Sequence, residues 1–310
     1  WTLTQFAAHK TGIILVNMNP SYRRTELDYA VNKVSCRGLI MATRFKDSDY
    51  EAMLGDLVPE LANHTQGEVL QAARAPSLRH VIRIDGPASR GMLGFADLLV
   101  EPTVSELVRL DEIGAELQFD QPVNIQFTSG TTGNPKGTML THHNILNNGY
   151  FIGETMKFTE QDKVCISVPL FHCFGMVIGN LACLSHGSTM VYPSLVFNPL
   201  ESLQAIHNEK CTAAYGVPTM FIAMLEHPQF AEFDMSSLRT GVMAGTTCPA
   251  EVMKQVMSKM NMGEVTICYG MTETSPVSLQ SHTDDAFDKK VNTVGRIHPH
   301  ATDDFTAILG

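Results

Sequence analysis

Several routine assignments fail for want of the residues they need. The seven cysteines, at positions 36, 165, 173, 183, 211, 248 and 268, include no C-x-x-C pair and no histidine cluster at zinc spacing. They read as reduced, mostly buried thiols of a cytosol-like compartment. No apolar run approaches the roughly 20 residues of a membrane span; the longest, residues 174–184, is about half that and contains Asn180. A signal peptide is missing too, so a cytoplasmic placement is expected, although Trp1 without a preceding Met suggests that the true N-terminus is not shown. Positive charge is short: 22 Lys and Arg stand against 32 Asp and Glu, a net charge of −10. Long-range repulsion then opposes general binding to nucleic acid or to an anionic membrane, and any phosphate site must be local.

What is present is an ordinary globular composition, 44% hydrophobic over 310 residues, enough for two domains or one large α/β domain. Short β-branched runs alternate with helix-period segments from end to end, which predicts βα units and layered, mostly parallel sheets with flanking helices. The expected strands cover 12–18, 37–42, 80–84, 124–128, 164–170, 188–193, 212–217, 240–245 and 265–270. In PAEVMKQVMSKM, the apolar Val252, Met253, Val256, Met257 and Met260 form one stripe at helical spacing, which predicts a core-facing helix. A polar, charged connection over 111–122 divides a first α/β subdomain, 1–120, from a second, 121–310.

Four polar clusters fall just after expected strands, where open parallel sheets collect ligands: TSGTTGNPKG, FHCFG, GTTCP and GMTE. In the first, residues 128–137, Gly130, Gly133 and Gly137 permit close backbone approach, Thr128, Ser129, Thr131 and Thr132 offer hydroxyls, and Lys136 offers a cation. All suit a polyphosphate. The Walker spacing fails, because Pro135 stands five residues after Gly130 and Gly137 follows Lys136; the dinucleotide pattern fails as well, with glycines spaced by three and then four. Composition alone leaves a plain surface loop as the alternative. In YGMTE, residues 269–273, a flat ring, a glycine, a hydroxyl and a carboxylate lie within five residues. They read either as a purine, phosphate and Mg²⁺ site or as a packed tyrosine followed by a solvated Glu.

TSGTTGNPKG followed about 130 residues later by YGMTE resembles the adenylate-forming superfamily: acyl-CoA synthetases, amino-acid adenylation domains and beetle luciferases. GIILVNMNPSYRRTEL, PLFHCFG and TVGRIHPH extend the resemblance over nearly the whole chain, and NIQFTSGTTGNPKGTMLTHHNILNNG looks closest to the medium-chain fatty acyl-CoA synthetase branch. The resemblance implies the large N-terminal lobe of that fold and an acid–thiol ligase. Such an enzyme joins a carboxylic acid to ATP with release of pyrophosphate and passes the acyl group to coenzyme A. It implies that Thr128, Ser129, Gly130, Thr131, Thr132, Gly133 and Lys136 embrace the β- and γ-phosphates. Gly245, Thr246 and Thr247 line the adenine, Tyr269 stacks on it with Gly270 and Met271 alongside, and Thr272 contacts the α-phosphate. Glu273 binds Mg²⁺, with Thr132 near the metal. The family more often shows a Gly-Gly or Gly-Ala run where the two threonines stand.

His172 by itself reads as a core histidine among aromatics; the resemblance places it between adenylate and acyl tunnel, in a catalytic set with Lys136, Thr272 and Glu273. The acid-binding residues implied are His172, Phe174, Gly175, Tyr215, Gly216 and Val217, with small residues at 175, 179 and 216 leaving room for a chain. Amino-acid adenylation domains generally place an aspartate just after the Phe of this motif, whereas here His172 and Cys173 follow Phe171, which favours a plain carboxylic acid. The superfamily's later signatures, Tyr-x-x-Gly-Asp, Gly-Arg-x-x-Asp and a C-terminal Gly-Lys, do not occur in these residues, so the mobile lid domain is expected to be absent from this chain. Adenylation of an amino or aryl acid for a carrier protein, or a non-catalytic nucleotide-binding module, are the alternatives.

Overall fold

The β-branched runs become strands and the segments of helical period become the helices that cover them. The computed structural model describes residues 1–66, 68–87, 91–128 and 135–299. Internal contacts divide the chain into two units. One comprises Lys10–Leu117 with the described part of Ile125–Thr138; the other comprises Trp1–His9, Gln118–Asn124 and the chain from Met139 on. The path therefore interleaves where the sequence reading placed one cut near residue 120.

The unit holding Lys10–Leu117 contains β1 (Leu15–Asn17), β2 (Gly38–Met41), β3 (Arg44–Phe45), β4 (Ser48–Asp49), β5 (His80–Arg83) and β6 (Leu93–Gly94). Strands β2, β5 and β6 form a parallel sheet in that order. The helix Tyr50–Leu57 starts at Asp49, whose carboxylate accepts the Ala52 N–H at 2.9 Å, the usual way of satisfying an orphan first-turn donor. Leu54 and Leu57 from this helix join Val31, Leu78 and Val81 in one buried cluster.

Strands β7 (Pro122–Thr128) and β8 (Lys136–Thr141) stand beside β1 in the order β1-β7-β8. The sequence reading held no strand at β8. Its signal is a short alternation, Leu140 buried between the exposed Met139 and the half-buried Thr141, masked by the preceding glycines.

The second unit is built on a seven-stranded sheet among the described residues. Its strands are β9 (Lys163–Ile166), β10 (Thr189–Val191), β11 (Ala213–Gly216), β12 (Thr240–Ala244), β13 (Glu264–Gly270), β14 (Val277–Gln280) and β15 (Arg296–Ile297). The order is β10-β9-β11-β12-β13-β14-β15, parallel from β10 to β13 and antiparallel for the last two. Side chains of a strand alternate between faces, and the core divides accordingly. Val164, Ile166, Ala213, Tyr215, Val242 and Ala244 enter one cluster with Ile152, Phe174 and Ile178; Cys165, Ala214, Met243 and Val265 enter the other with Leu203, Phe221, Met253 and Val256. The methionine stripe of the helix Ala250–Lys259 is thus core, with Met253, Val256 and the following Met260 fully buried.

The two antiparallel strands close a sheet that is otherwise parallel, in keeping with the mostly parallel expectation. They escape a hydrophobic pattern because two of the three buried residues of β14, Ser278 and Gln280, are polar and both residues of β15 are exposed. Gln280 donates to Thr266 Oγ at 3.0 Å, Thr266 donates to the Gly241 carbonyl at 3.1 Å, and Ser281 Oγ accepts the Ile267 N–H at 2.8 Å. Among the described residues no helix is long and apolar enough to cross a membrane.

Candidate active site

Because β9, β11, β12 and β13 are parallel, their carboxyl ends open on one edge of the sheet, and three of the four polar clusters lie there. The fourth, the Gly-rich loop, follows β7; of its residues Ser129, Gly130, Thr131, Thr132 and Gly133 lie outside the described set. Thr128 ends β7 half-buried, and Lys136 opens β8 exposed, with Thr128 Oγ 3.5 Å from the Lys136 carbonyl oxygen.

The end of β13 carries YGMTE. Tyr269 is 44% and Met271 43% exposed, so the strand finishes with two large side chains open to solvent. The pairing with β14 shifts by one residue between Tyr269 and Gly270. A Cβ on Gly270 would sit 1.9 Å from the Pro276 carbonyl oxygen; only glycine lets the returning chain come so close. Thr272 and Glu273 then form a short helical turn, Thr272–Thr274, with Thr272 half-buried and Glu273 exposed. A cis peptide joins Ser275 to Pro276 as the chain enters β14.

Strand β14 is held from below by Asn148 of the helix His142–Thr155. Its amide donates to the Val277 carbonyl at 2.7 Å and accepts the Val277 N–H at 3.1 Å, so one side chain imitates a neighbouring strand. The sequence signal was a polar residue on a buried helical face, Ile145, Asn148, Gly149 and Ile152, and the reading above did not single it out. Gly149 and Gly153 on that face let the helix through 174–186 pack closely, since a Cβ at either would meet Leu181 or His186 at under 3 Å.

FHCFG lies beyond β9. The run expected as strand to residue 170 ends at Ile166, and the chain turns through Pro169–Phe171 into a wide helix with i→i+5 geometry, Phe174–Leu181. Such helices are rare and concentrate at functional sites. Gly175 is set by close approach: a Cβ there would lie 2.4 Å from the Pro169 carbonyl oxygen. His172 Nδ1 accepts the Phe174 N–H at 3.0 Å. The second ring nitrogen, Nε2, therefore carries the proton of the neutral ring. Although His172 keeps an exposed face, burial of the ring lowers its pKa below the ordinary histidine value. The residue offers an N–H donor at neutral pH.

Cys173 joins the two motifs. Its thiol is 1% exposed; burial pushes its pKa up to about 12, the Thr272 side chain works the other way through a hydrogen bond to the sulfur, and the neighbouring Glu273 carboxylate adds to the rise. The FHCFG and YGMTE motifs thus meet at a cysteine that the sequence reading treated as a generic buried thiol.

Gly245, Thr246 and Thr247 follow β12 on the same edge, all exposed, and the Cys248 thiol closes their turn by donating to the carbonyls of Met243 and Thr246 at 3.3 and 3.5 Å. Phe174 is 6% and Tyr215 1% exposed, their ring centroids 6.1 Å apart. The room expected beside the small residues is occupied in this conformation. Ile166 lies 3.1 Å from a Cβ built on Gly179, and Phe221 lies 3.1 Å from one on Gly216. Val217 is half-buried and starts the turn into the helix Pro218–Leu225.

Residues 1–303 match the AMP-binding family, described as AMP-binding enzyme. YngI of Bacillus subtilis (strain 168), named provisionally as an acyl-CoA synthetase, is 44% identical over 301 residues, 97% of this chain and 54% of that protein. The medium-chain acyl-CoA ligase ACSF2, mitochondrial, of Danio rerio is 42% identical over 302 residues, 97% of this chain and 50% of its own length. Among solved structures, the anthranilate CoA ligase AuaEII in complex with anthranoyl-AMP shares the fold with a TM-score of 0.76 at 21% identity, over 96% of this chain and 52% of that one. The chain spans about half the length of the curated relatives it matches. With the match extending over residues 1–303 and these motifs at the strand ends, the chain belongs to the AMP-binding enzyme family.

Proposed function

We propose that this chain is the ATP- and acid-binding lobe of an enzyme that converts a carboxylic acid, of medium-chain fatty type, to its coenzyme A thioester through an acyl adenylate. The observation that carries the reading is the junction at Cys173, the residue after His172, whose buried thiol meets the Thr272 side chain with the Glu273 carboxylate nearby. In the first half-reaction a carboxylate oxygen bonds to the α-phosphorus of ATP as the bond to the β-phosphate oxygen breaks, and pyrophosphate leaves. In the second, the thiol sulfur of coenzyme A bonds to the acyl carbon, the thiol proton is given up, and AMP leaves. The nucleophile of the first step is already an anion, so the site must offset negative charge more than abstract a proton.

Each residue then has a task. His172 Nε2–H donates to the incoming carboxylate, fixing its angle. The Thr272 hydroxyl bonds an α-phosphate oxygen, Tyr269 stacks on adenine against the Gly245–Thr247 turn, and Lys136 with the loop from Thr128 receives the outer phosphates. An exposed Glu273 suits Mg²⁺, which keeps several waters and takes one or two carboxylates plus substrate phosphates. Among the described residues no group of three or more His, Cys, Asp and Glu side chains is placed to hold a metal alone, in keeping with a metal shared between Glu273, phosphate and water. Mg²⁺ bound there supplies charge neutralisation at the phosphates. His172 and Cys173 follow Phe171 where amino-acid adenylation domains generally place an aspartate, which favours a plain acid over an amino acid. A lid lobe from the rest of the polypeptide completes the site and guides the thiol.

In the full-length protein, Glu273→Ala should cut Mg²⁺-dependent pyrophosphate release with octanoate by about 10²–10³-fold. Unchanged release would remove Glu273 from the metal role.

A further inference from the structure

One buried polar group takes no part in the chemistry above. The helix Phe174–Leu181 is apolar and buried along its length, and within it Asn180 is 0% exposed. Gln5, from the helix Thr2–Thr11, is also 0% exposed. Burying two primary amides is costly unless their atoms find partners, and here they do. Asn180 Nδ2 donates to Gln5 Oε1 at 2.8 Å and to Thr2 Oγ at 3.3 Å, while Asn180 Oδ1 accepts the Tyr192 hydroxyl at 2.7 Å. The amide oxygen is a better acceptor for Tyr192 than the Met190 thioether 3.2 Å away. The Thr2 hydroxyl therefore donates to the Tyr192 oxygen at 2.8 Å. Asn180, Thr2 and Tyr192 close a ring in which each hydrogen bond polarises the next.

Gln5 carries the attachment to a second point, its Nε2 facing the Met176 carbonyl at 3.4 Å. The wide helix is thus gripped at residues 176 and 180 by side chains that belong neither to the sheet nor to the helix itself. A run of i→i+5 geometry as long as eight residues is unusual, and outside support is what such a run needs. Any shift of the helix is transmitted to its first turn, where Phe174 N–H holds His172 and Gly175 lies against Pro169.

We propose that Asn180 and Gln5 are positioning residues: they fix how far the wide helix stands from the sheet and so decide which acid chain length the lobe accepts. The specificity part rests on the acid-activating function proposed above; the positioning part does not.

The test uses the full-length protein with Asn180→Leu combined with Gln5→Met, which replaces both amides by apolar groups of similar volume, so that neither amide is left facing an apolar partner, while the Thr2 and Tyr192 hydroxyls keep each other. Tyr192→Phe serves as a milder second variant, breaking the ring at the partly exposed hydroxyl. Amide hydrogen exchange over 174–181 should quicken about tenfold or more in the double variant and less in Tyr192→Phe, with 250–259 unchanged. The ratio of kcat/KM for octanoate over hexadecanoate should move about tenfold, with KM for ATP held. Unchanged exchange in either folded variant overturns the positioning role whatever the activity. Faster exchange with an unchanged ratio overturns the specificity role. A wild-type protein inactive with every acid refutes the proposed function instead, and exchange alone then decides the positioning.

Discussion

The two edges of the seven-stranded sheet use polar residues in opposite ways. At the amino-terminal edge, Asp162 precedes β9, Thr212 precedes β11, Arg239 precedes β12 and Glu264 opens β13. Arg239 donates to both oxygens of Asp162 from its Nη2 at 3.0 and 2.9 Å and to Glu264 at 2.9 Å, while Thr212 donates to Asp162 at 2.6 Å. Burial opposes the charge on Asp162, but Arg239, Thr212 and the Thr159 N–H outweigh it and hold the carboxyl below its usual range. At the carboxyl-terminal edge, Tyr269, Met271, Glu273 and the Gly245–Thr247 turn are exposed, and the main polar contact between motifs is a thiol with a hydroxyl. One edge consumes its polar groups in ties between strands; the other leaves them exposed, where the proposed adenylate would meet them. A ligand site on a parallel sheet is recognised by that asymmetry more securely than by any single residue.

Breaking the first edge should cost the most. Arg239→Ala strands the Asp162 carboxylate in its buried setting, and removing one partner of such a pair typically costs about 3–5 kcal/mol. Urea unfolding should show the loss, with pyrophosphate release per folded molecule little changed. Breaking the second edge should invert the pattern. Glu273→Ala should remove about 3–4 kcal/mol of transition-state stabilisation and leave the urea midpoint within experimental error. If Arg239→Ala abolished turnover in the folded protein, or Glu273→Ala unfolded it, the division between the edges would not hold.

A smaller effect sharpens the boundary between packing and chemistry. Gly175→Ala forces a methyl against the Pro169 carbonyl, an overpacking that costs about 1–3 kcal/mol. Because the turn also carries His172, this variant should lose stability and raise the KM for the acid together, a coupling that neither edge variant shows.

The smallest effect is in pH. The Asp162 carboxyl, held low, contributes stability that is present above the unfolded value of about 3.9 and is lost as pH falls through its native value. His172, with its native pKa lowered by burial, acts at the other edge with a different window. Below about 6.5 the unfolded chain takes up a proton that the native ring refuses, so stability falls as pH drops. His172→Gln should flatten the slope just below pH 6.5 and leave the slope below pH 4 intact. His9, pushed down to about 4 by burial and then by His142, has the same sign in the same window, so the comparison is between variant and wild type.

The sequence discloses this fold where side chains repeat locally. All nine expected strand runs contain a strand, and the methionine stripe of the helix Ala250–Lys259 is core because five apolar residues at helical spacing leave no other face to bury. The strands it hides are the two-residue β3, β4, β6 and β15, the glycine-preceded β8, and β14, whose buried Ser278 and Gln280 are polar, with Gln280 and the following Ser281 bonded across the sheet to Thr266 and Ile267. Polar ties formed at a distance are also invisible. Arg239 meets Asp162 across 77 positions and Asn148 meets Val277 across 129, and no local pattern links such residues. The site was legible as separate clusters after strands. That Cys173 brings two of them together was not, because a buried thiol beside a hydroxyl looks in sequence like any other cysteine.

The most direct test of the central claim, that the carboxyl-terminal edge of this lobe receives an acyl adenylate, is calorimetric titration of this chain with non-hydrolysable acetyl, octanoyl, palmitoyl, benzoyl and phenylalanyl adenylate analogues. The account predicts binding strongest for octanoyl and weakened about tenfold or more by Tyr269→Ala, in line with loss of an aromatic stack under the base. Tightest binding of the phenylalanyl or benzoyl analogue, or binding indifferent to Tyr269, would contradict it.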